Sequence, residues 1–244
     1  MKNSIMICAD DFGMHPAIDN GILTLLEKQK ISAVSCMTNE TYWEQDAPSL
    51  IPYFNRAKIG LHFNLPYRSL AVFILKSYLR ILTKQQIYQA LNNQYERFIK
   101  IMGRKPDFID GHQHIHQLPV IRDVVIEFYQ MHYVDRQGFI RNTQNKQKNC
   151  IKAKVINLLG GNRLKKLLKK YGIPHNAHFS GIYNLSEKKD YSTLLRQFVA
   201  DIEGDGLIMC HPANDYPERG ELFRVNEFNV LNNYSSSFTE LKNH

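Results

Sequence analysis

The sequence predicts an α/β fold, a distorted or incomplete (β/α) TIM-like barrel, and three observations carry that reading. Short β-branched or apolar runs alternate with helical patterns along the chain, as parallel strands joined by crossover helices require. About seven such β–α units follow one another, enough to curl a sheet most of the way round. Acids and histidines gather directly after four of the predicted strands, and the shared rim of strand C-termini is where barrel and open-sheet sites are built. A doubly wound open sheet is the competing architecture. No repeat, low-complexity tract or Gly/Ser linker divides the 244 residues, so residues 1–244 read as a single domain.

Taken in order, Ser4 to Ala9 is the first predicted strand. A helix follows from Pro16 to Lys28, with Ile18, Ile22, Leu25 and Leu26 at helical spacing and Pro16 placed to start it. Ile31 to Met37 and Lys58 to Phe63 are the next strands. Gln85 to Met102 is a long amphipathic helix that Gly103 ends, with Ile87, Leu91, Tyr95 and Phe98 on one stripe. Asp107 to Asp110 begins another strand, Pro119 to Met131 a helix, and Gly138 to Arg141 a strand. Leu194 to Ile202 is helical, and Gly206 to Cys210 is a buried strand bounded by Pro212. Segment 69–82 fits less well: six apolar residues, Leu70 to Leu75, run into Lys76, Tyr78 and Arg80. It reads as a buried helix, a flap over the site, or a surface helix dipping into a membrane interface.

Composition narrows the class. A hydrophobic share of 43% with 22% charged residues excludes a disordered or fibrous chain. Cys8, Cys36, Cys150 and Cys210 form no CxxC pair, which argues against a thiolate metal site and for a reducing compartment. The apolar run Ile5–Ala9 is too short for a secretory leader, and no run reaches the length of a membrane span. The expectation is a cytoplasmic protein. Lys and Arg number 31 against 23 acids, a net +8. Ten of those cations and no acid lie between Arg141 and Lys170, which leaves 21 − 23 = −2 for the rest. So local an excess is at odds with a nucleic-acid groove across the surface. Segment 141–170 is therefore either a solvated helix face or a contact for an anionic partner, such as membrane headgroups or a phosphorylated glycan. Oligomeric state, a homodimer included, is left open.

Chemistry points to the rim. Asp10 and Asp11 close the first strand; two adjacent carboxylates there are costly to bury without a cation or hydrogen bonds. In an extended chain they point to opposite faces, so one could bind a metal while the other handles protons. Their bland alternative is a helix cap with a solvated partner. His62 closes the third strand; alone it reads more readily as a satisfied core histidine than as a ligand, and its rim position reverses that preference. His112, His114 and His116 alternate with period two, so an extended backbone turns all three to one side. Two of them at most can reach one ion, leaving at least one to support a ligand or touch substrate. His211, fixed at a strand exit by Pro212, is a candidate general acid. His15, His132, His175, His178 and His244 fall outside these positions. The chain has no P-loop, GxGxxG or Gly-x-Ser-x-Gly elbow, so nucleotide binding and serine hydrolysis lack support.

Ala9-Asp10-Asp11-Phe12-Gly13, Gly60-Leu61-His62, Asp110 to His116, and Met209-Cys210-His211-Pro212-Ala213 together resemble the YdjC-like carbohydrate deacetylases, the group that includes chitooligosaccharide deacetylase. The motifs occur in the family's order over about 200 residues. The resemblance implies a distorted (β/α) barrel that removes N-acetyl groups from amino sugars with one divalent metal ion, Mg²⁺ or Zn²⁺. It implies that Asp11, His62 and His112 bind the metal, that Asp10 is the general base and that His211 is the general acid. His114 and His116 would then contact substrate or support the ligands, and Arg141 would orient Asp10 or bind substrate. Departures from the family pattern, at 66–84 and 141–170, bear on which glycan is used, a lipid-linked one included. Other metal-dependent hydrolysis on the same scaffold, of a phosphoester or cyclic amide, is the alternative.

Overall fold

The computed structural model describes residues 5–147, 150–185, 190–202, 205–217 and 221–234. Ser4, Lys148 and His244 therefore lie outside the described residues. In chain order the elements are β1 (Ile5–Phe12), α1 (Pro16–Glu27), β2 (Ala33–Cys36), α2 (Trp43–Asp46) running into a 3₁₀ turn (Ala47–Tyr53), and β3 (Lys58–Phe63). Next come α3 (Leu70–Tyr78), α4 (Lys84–Met102), β4 (Phe108–Gly111), a 3₁₀ segment (His112–Gln117), α5 (Ile121–His132) and β5 (Phe139–Ile140). The chain continues through α6 (Ile151–Ile156), a π turn (Asn157–Gly161), α7 (Asn162–Lys170), β6 (His178–Ser180), α8 (Tyr191–Ala200), β7 (Gly206–Cys210) and α9 (Leu222–Asn233).

All strand pairings are parallel, in the order β5-β4-β3-β2-β1-β7-β6. The sheet curls until its two edges approach. A lone parallel bridge joins Asn145, just past β5, to Phe179 of β6. Asn176 laces the same seam: its Oδ1 accepts from the Asn142 amide at 2.7 Å, and its Nδ2 donates to the Asn142 carbonyl at 2.9 Å. The architecture is the incomplete (β/α) barrel the alternation predicts, and the open doubly wound sheet is excluded.

Strand alternation divides the residues into two sets. Ile5, Ile7 and Ala9 of β1, Val34 and Cys36 of β2 and Ile208 and Cys210 of β7 face outward, packed with Ile18, Ile22 and Leu25 of α1 and Leu195 and Phe198 of α8. Leu61, Ile109 and Ile140 do the same beneath Leu91 and Tyr95 of α4 and Val125 and Phe128 of α5. The inward set is apolar low in the barrel, where Cys8, Ala33, Phe108, Leu207 and Met209 fill the interior. One step further along the same faces the residues become Asp10, Ser35, His62, Asp110 and Arg141. The period-two pattern thus builds an apolar floor with a charged layer above it, at the strands' C-terminal ends.

The loop after β1 is fixed tightly. Gly13 has φ +95, and a Cβ there would meet the Met37 carbonyl at 3.0 Å, so glycine alone fits without strain. Its amide donates to Asp19 Oδ1 at 2.7 Å. His15 caps α1, its Nδ1 accepting from the Ala17 amide at 3.1 Å, so this histidine is accounted for structurally. Burial, with the neighbouring Asp46 carboxylate, pushes Asp19 from 3.8 up to about 8, against the lowering effect of the Gly13 amide. A folded-state pKa above the unfolded one means the fold favours the proton-bound form. Stability from this group is therefore full below about pH 4 and is lost as pH rises toward 8. Asp19→Asn keeps the acceptor for Gly13 and removes the penalty. The variant is expected to gain about 1 kcal/mol or more in urea unfolding at pH 8, and nothing measurable at pH 4.

Candidate active site

β1 carries two carboxylates into the mouth through a bulge. Pairing runs Ala9 to Val34 and then Phe12 to Cys36, three residues of β1 against two of β2. Asp11 takes φ 73 to absorb the extra residue, a conformation that Asp tolerates better than most residues. Phe12 then resumes the outward face in the core. Without the bulge Asp10 and Asp11 would point to opposite faces, as strict alternation predicts. That expectation is corrected: both carboxylates face inward and both come against His62.

The histidine segment is corrected as well. His112–Gln117 is not extended but a kinked 3₁₀ turn, with Gln113 at φ 50 and His114 at φ 61. The three imidazoles therefore part company. His112 reaches Asp11, its Nδ1 lying 3.1 Å from Oδ1. His114 sets its ring edge-on to Phe179 of β6 at 5.6 Å. His116 turns into the protein and donates through Nε2 to the Arg141 carbonyl at 3.0 Å. Burial pushes His116 down to about 4 and lowers His114 well below its ordinary value.

Asp11, His62 and His112 offer ligand atoms that lie within 4.8 Å of one another. His62 Nε2 is 3.4 Å from Asp11 Oδ1, and the two imidazole rings meet edge to face at 5.6 Å. The His62 and Asp11 side chains are only 3% and 1% exposed, but that of His112 is 25% exposed, so the cluster opens toward solvent on that side. Two of the three ligand atoms are aimed from behind. Asp11 Oδ2 accepts from Arg224 Nη2 at 2.9 Å, leaving Oδ1 to face the histidines. His62 Nδ1 bonds Asp110 Oδ1 at 2.6 Å, which leaves Nε2 for the cluster. Ser35 Oγ also donates to Asp110 Oδ1, at 2.6 Å.

Asp10 sits beside this group, gripped by Arg141 in a two-pronged ion pair of 2.6 and 2.7 Å. The same guanidinium reaches Asp110 Oδ2 at 2.6 Å. Arg141 is 0% exposed. Neither its side chain nor that of His116, also 0% exposed, is open to the mouth, so the expected contact of these two with substrate is not provided by this geometry. His211 follows β7, and its amide donates to Glu227 Oε2. The next turn is held by α1: the Asn214 amide donates to the Ala17 carbonyl at 3.0 Å. Gly21 permits that approach, since a Cβ there would come within 2.8 Å of the Asn214 nitrogen.

The electrostatics follow from this packing. Burial works against the Asp11 carboxylate, but Arg224 and the hydrogen bonds from His112 and His62 hold it well below the usual carboxylate range. Burial alone would lower His62, yet Asp110, Asp10 and Asp11 outweigh it and raise the imidazole to about 10. His211 goes the other way, down to about 4, because burial outweighs the pull of Asp11 and Asp10. Burial lifts Glu227 to about 7 against the hydrogen bonds from Tyr183 and the His211 amide. Among the sequence candidates, Asp10, Asp11, His62, His112 and Arg141 form one connected group, with His116 tied to it through the Arg141 backbone. Asp110, Ser35, Arg224 and Glu227 were not singled out as site residues. Strand alternation could have found Asp110, two residues beyond the inward Phe108. Arg224 and Glu227 lie i, i+3 on α9, and no local sequence signal links that helix to the rim.

A donor set of one carboxylate and two imidazoles, partly open and backed by further carboxylates, fits a divalent cation. The sequence profile described as YdjC-like protein matches residues 4–236. A carbohydrate deacetylase of Mus musculus is 30% identical over 151 residues, covering 53% of this chain and 48% of the mouse protein. A chitooligosaccharide deacetylase of Proteus mirabilis is 30% identical over 144 residues, 53% of this chain and 56% of that protein. The chain spans about half the length of the curated relatives it matches. Among solved structures, an Enterococcus faecalis protein named for cellobiose-phosphate cleavage superposes with a TM-score of 0.72 at 19% identity, covering 98% of this chain and 94% of that one. A peptidoglycan N-acetylglucosamine deacetylase superposes at 0.54 with 11% identity, covering 98% and 82%. Both likenesses are of fold. The profile match runs through every strand and every rim residue described above, and on that ground the chain belongs to the YdjC-like protein family.

Proposed function

We propose that the protein is a metal-dependent hydrolase that removes the N-acetyl group from an N-acetylated amino sugar, working as a single deacetylase domain in a reducing, cytoplasmic setting. The observation that carries the reading is the convergence of Asp11, His62 and His112 beside an Asp10 held by Arg141. The names of the mouse and Proteus relatives supply the substrate class.

Asp11 through Oδ1, His62 through Nε2 and His112 through Nδ1 are the residues that would hold the ion, Mg²⁺ or Zn²⁺. When bound, a divalent ion supplies Lewis acidity, polarising a carbonyl and making water more acidic. Asp10 takes the proton of the attacking water, with Arg141 fixing the angle at which its oxygens meet that water. An amine leaves poorly unless protonated, so His211 delivers a proton to the nitrogen as the C–N bond breaks. Burial keeps the resting imidazole neutral near pH 7, so the proton His211 delivers is the one Asp10 removes from the attacking water, taken up by the imidazole as negative charge develops on the amide beside it. Glu227 holds the His211 backbone in place through its amide. His114, beside Phe179 on the rim, contacts the sugar. His116 acts through Arg141, whose carbonyl it anchors.

Asp10→Asn is expected to bind metal like the parent while acetate release falls at least about 100-fold. Asp11→Asn and His62→Ala lose both. Titration calorimetry with the metal and an acetate assay on chito-oligosaccharides separate these outcomes, and full turnover by Asp10→Asn would remove Asp10 as base. Phosphate release from a phosphosugar without acetate release would favour the phosphoester alternative. Asp110→Asn, at a carboxylate that backs His62 and also meets Arg141, should weaken metal binding by about 10–100-fold in the same titration. Arg141→Met leaves Asp10 and Asp110 buried without their counter-charge. It should cost about 3–5 kcal/mol in urea unfolding.

A further inference from the structure

The chain's acid-free stretches meet on one surface. Residues 47–95 contain no Asp or Glu, and neither do residues 136–186. The first stretch carries α3, whose outer stripe Val72, Leu75 and Leu79 is 51%, 56% and 61% exposed, with Tyr78 and Ile81 alongside. The second carries α6 and the π turn, where Ile151, Val155 and Leu158 are exposed at i, i+4, i+7 spacing. Exposed cations flank both: Lys76 and Arg80 on the first, Lys152, Lys154, Arg163 and Lys166 on the second. Arg141 is no part of this face, being consumed inside the site.

Segment 117–122 seats both elements. Ser77 Oγ of α3 donates to the Pro119 carbonyl at 2.6 Å. Gly160 of the π turn lies so close to the Gln117 carbonyl that a Cβ would come within 2.3 Å of it. Arg122 donates to that same carbonyl at 3.0 Å, and its guanidinium, paired with Asp123 at 3.7 Å, also feels Arg163, Tyr78 and Arg80. The buried face of the same helix, α3, borders the mouth. Phe73 of α3 stacks on Tyr67 at 4.9 Å, and the Tyr67 hydroxyl donates to Gln113 Oε1 at 2.7 Å, one residue from His112.

We infer that this face adsorbs on an anionic lipid surface and that the amino sugar the site receives is carried on a lipid anchor. Aliphatic side chains ringed by Lys and Arg suit the headgroup boundary of a bilayer. They suit other occupants poorly. A second copy would set two largely cationic faces against each other, their acids Asp123 and Glu127 already paired with Arg122 and Lys84. The patch is mainly aliphatic, with Tyr78 beside it, where nucleic-acid bases need aromatic platforms. No helix among the described residues is long and apolar enough to cross a membrane, so the contact is peripheral. The lipid-anchored substrate rests on the deacetylase reading; adsorption does not.

Cosedimentation of the full chain with phosphatidylcholine vesicles, with and without a one-third share of phosphatidylglycerol, tests the surface directly. The expected result is binding to the anionic vesicles at low salt, at least about tenfold weaker on neutral vesicles and weakened by high salt. The pairs Leu75→Asp with Leu79→Asp and Lys154→Glu with Lys166→Glu should each reduce vesicle binding about tenfold or more, while deacetylation of a soluble chito-oligosaccharide is unchanged. No cosedimentation at low salt, binding indifferent to both pairs, or a solution dimer that the Leu pair dissociates would each overturn the proposal. Vesicle binding with no acetate release from any sugar would instead fault the deacetylase reading and leave adsorption standing. Adsorption with no preference for a lipid-anchored over a soluble amino sugar would overturn the substrate half.

Discussion

The guanidinium of Arg141 is the charge on which the interior of this barrel depends. Asp10, Asp11 and Asp110 are all at or below 1% exposure, and three unshielded carboxylates at that depth would unfold a domain of marginal stability. Arg141 answers two of them and Arg224 the third. Two cations against three anions still leave negative charge unmet, and His62 responds by holding its proton to about 10. With that proton the layer is balanced, three cations against three carboxylates, so a divalent ion arriving there would have to displace it.

That layer is paid for by ordinary strand geometry. Outward residues pack into helices, inward residues near the strand starts pack together, and the next inward position on β1 to β5 is polar. The one departure is the β1 bulge, which turns a second carboxylate inward at the cost of a left-handed Asp11. The strain sits where two carboxylates must share one histidine.

Most strands and helices were legible from apolar period and caps. β3 and β7 were read to the residue, and α4 ends on the left-handed Gly103 its sequence predicts. β6, three residues long, was not read, because so short a run carries no period. α6, the π turn and α7 were seen only as a charge run, since their buried side rests on Ala153, Ile156, Leu164 and Leu168 scattered among lysines. The site divided in the same way. Residues at strand ends were found because a parallel sheet brings its C-termini together. The period-two reading of His112 to His116 failed because two left-handed residues break the strand as soon as it leaves the sheet. Arg224 and Glu227 depend on where a helix distant in sequence docks, which no local pattern encodes.

α9 gives this arrangement an order in time. Arg224 holds Asp11 across 213 residues of chain, and the same helix grips the His211 amide through Glu227. β1 likewise has β7 as one of its two neighbours in the sheet. During synthesis, most of the sheet and its outer helices can assemble while Asp11 still lacks its arginine. Until α9 emerges and docks, the nascent barrel holds an incompletely neutralised acidic centre, so the charge balance of the rim is completed only at the final stage of folding. A ribosome that stalled before α9 would leave a nearly complete barrel without a working rim.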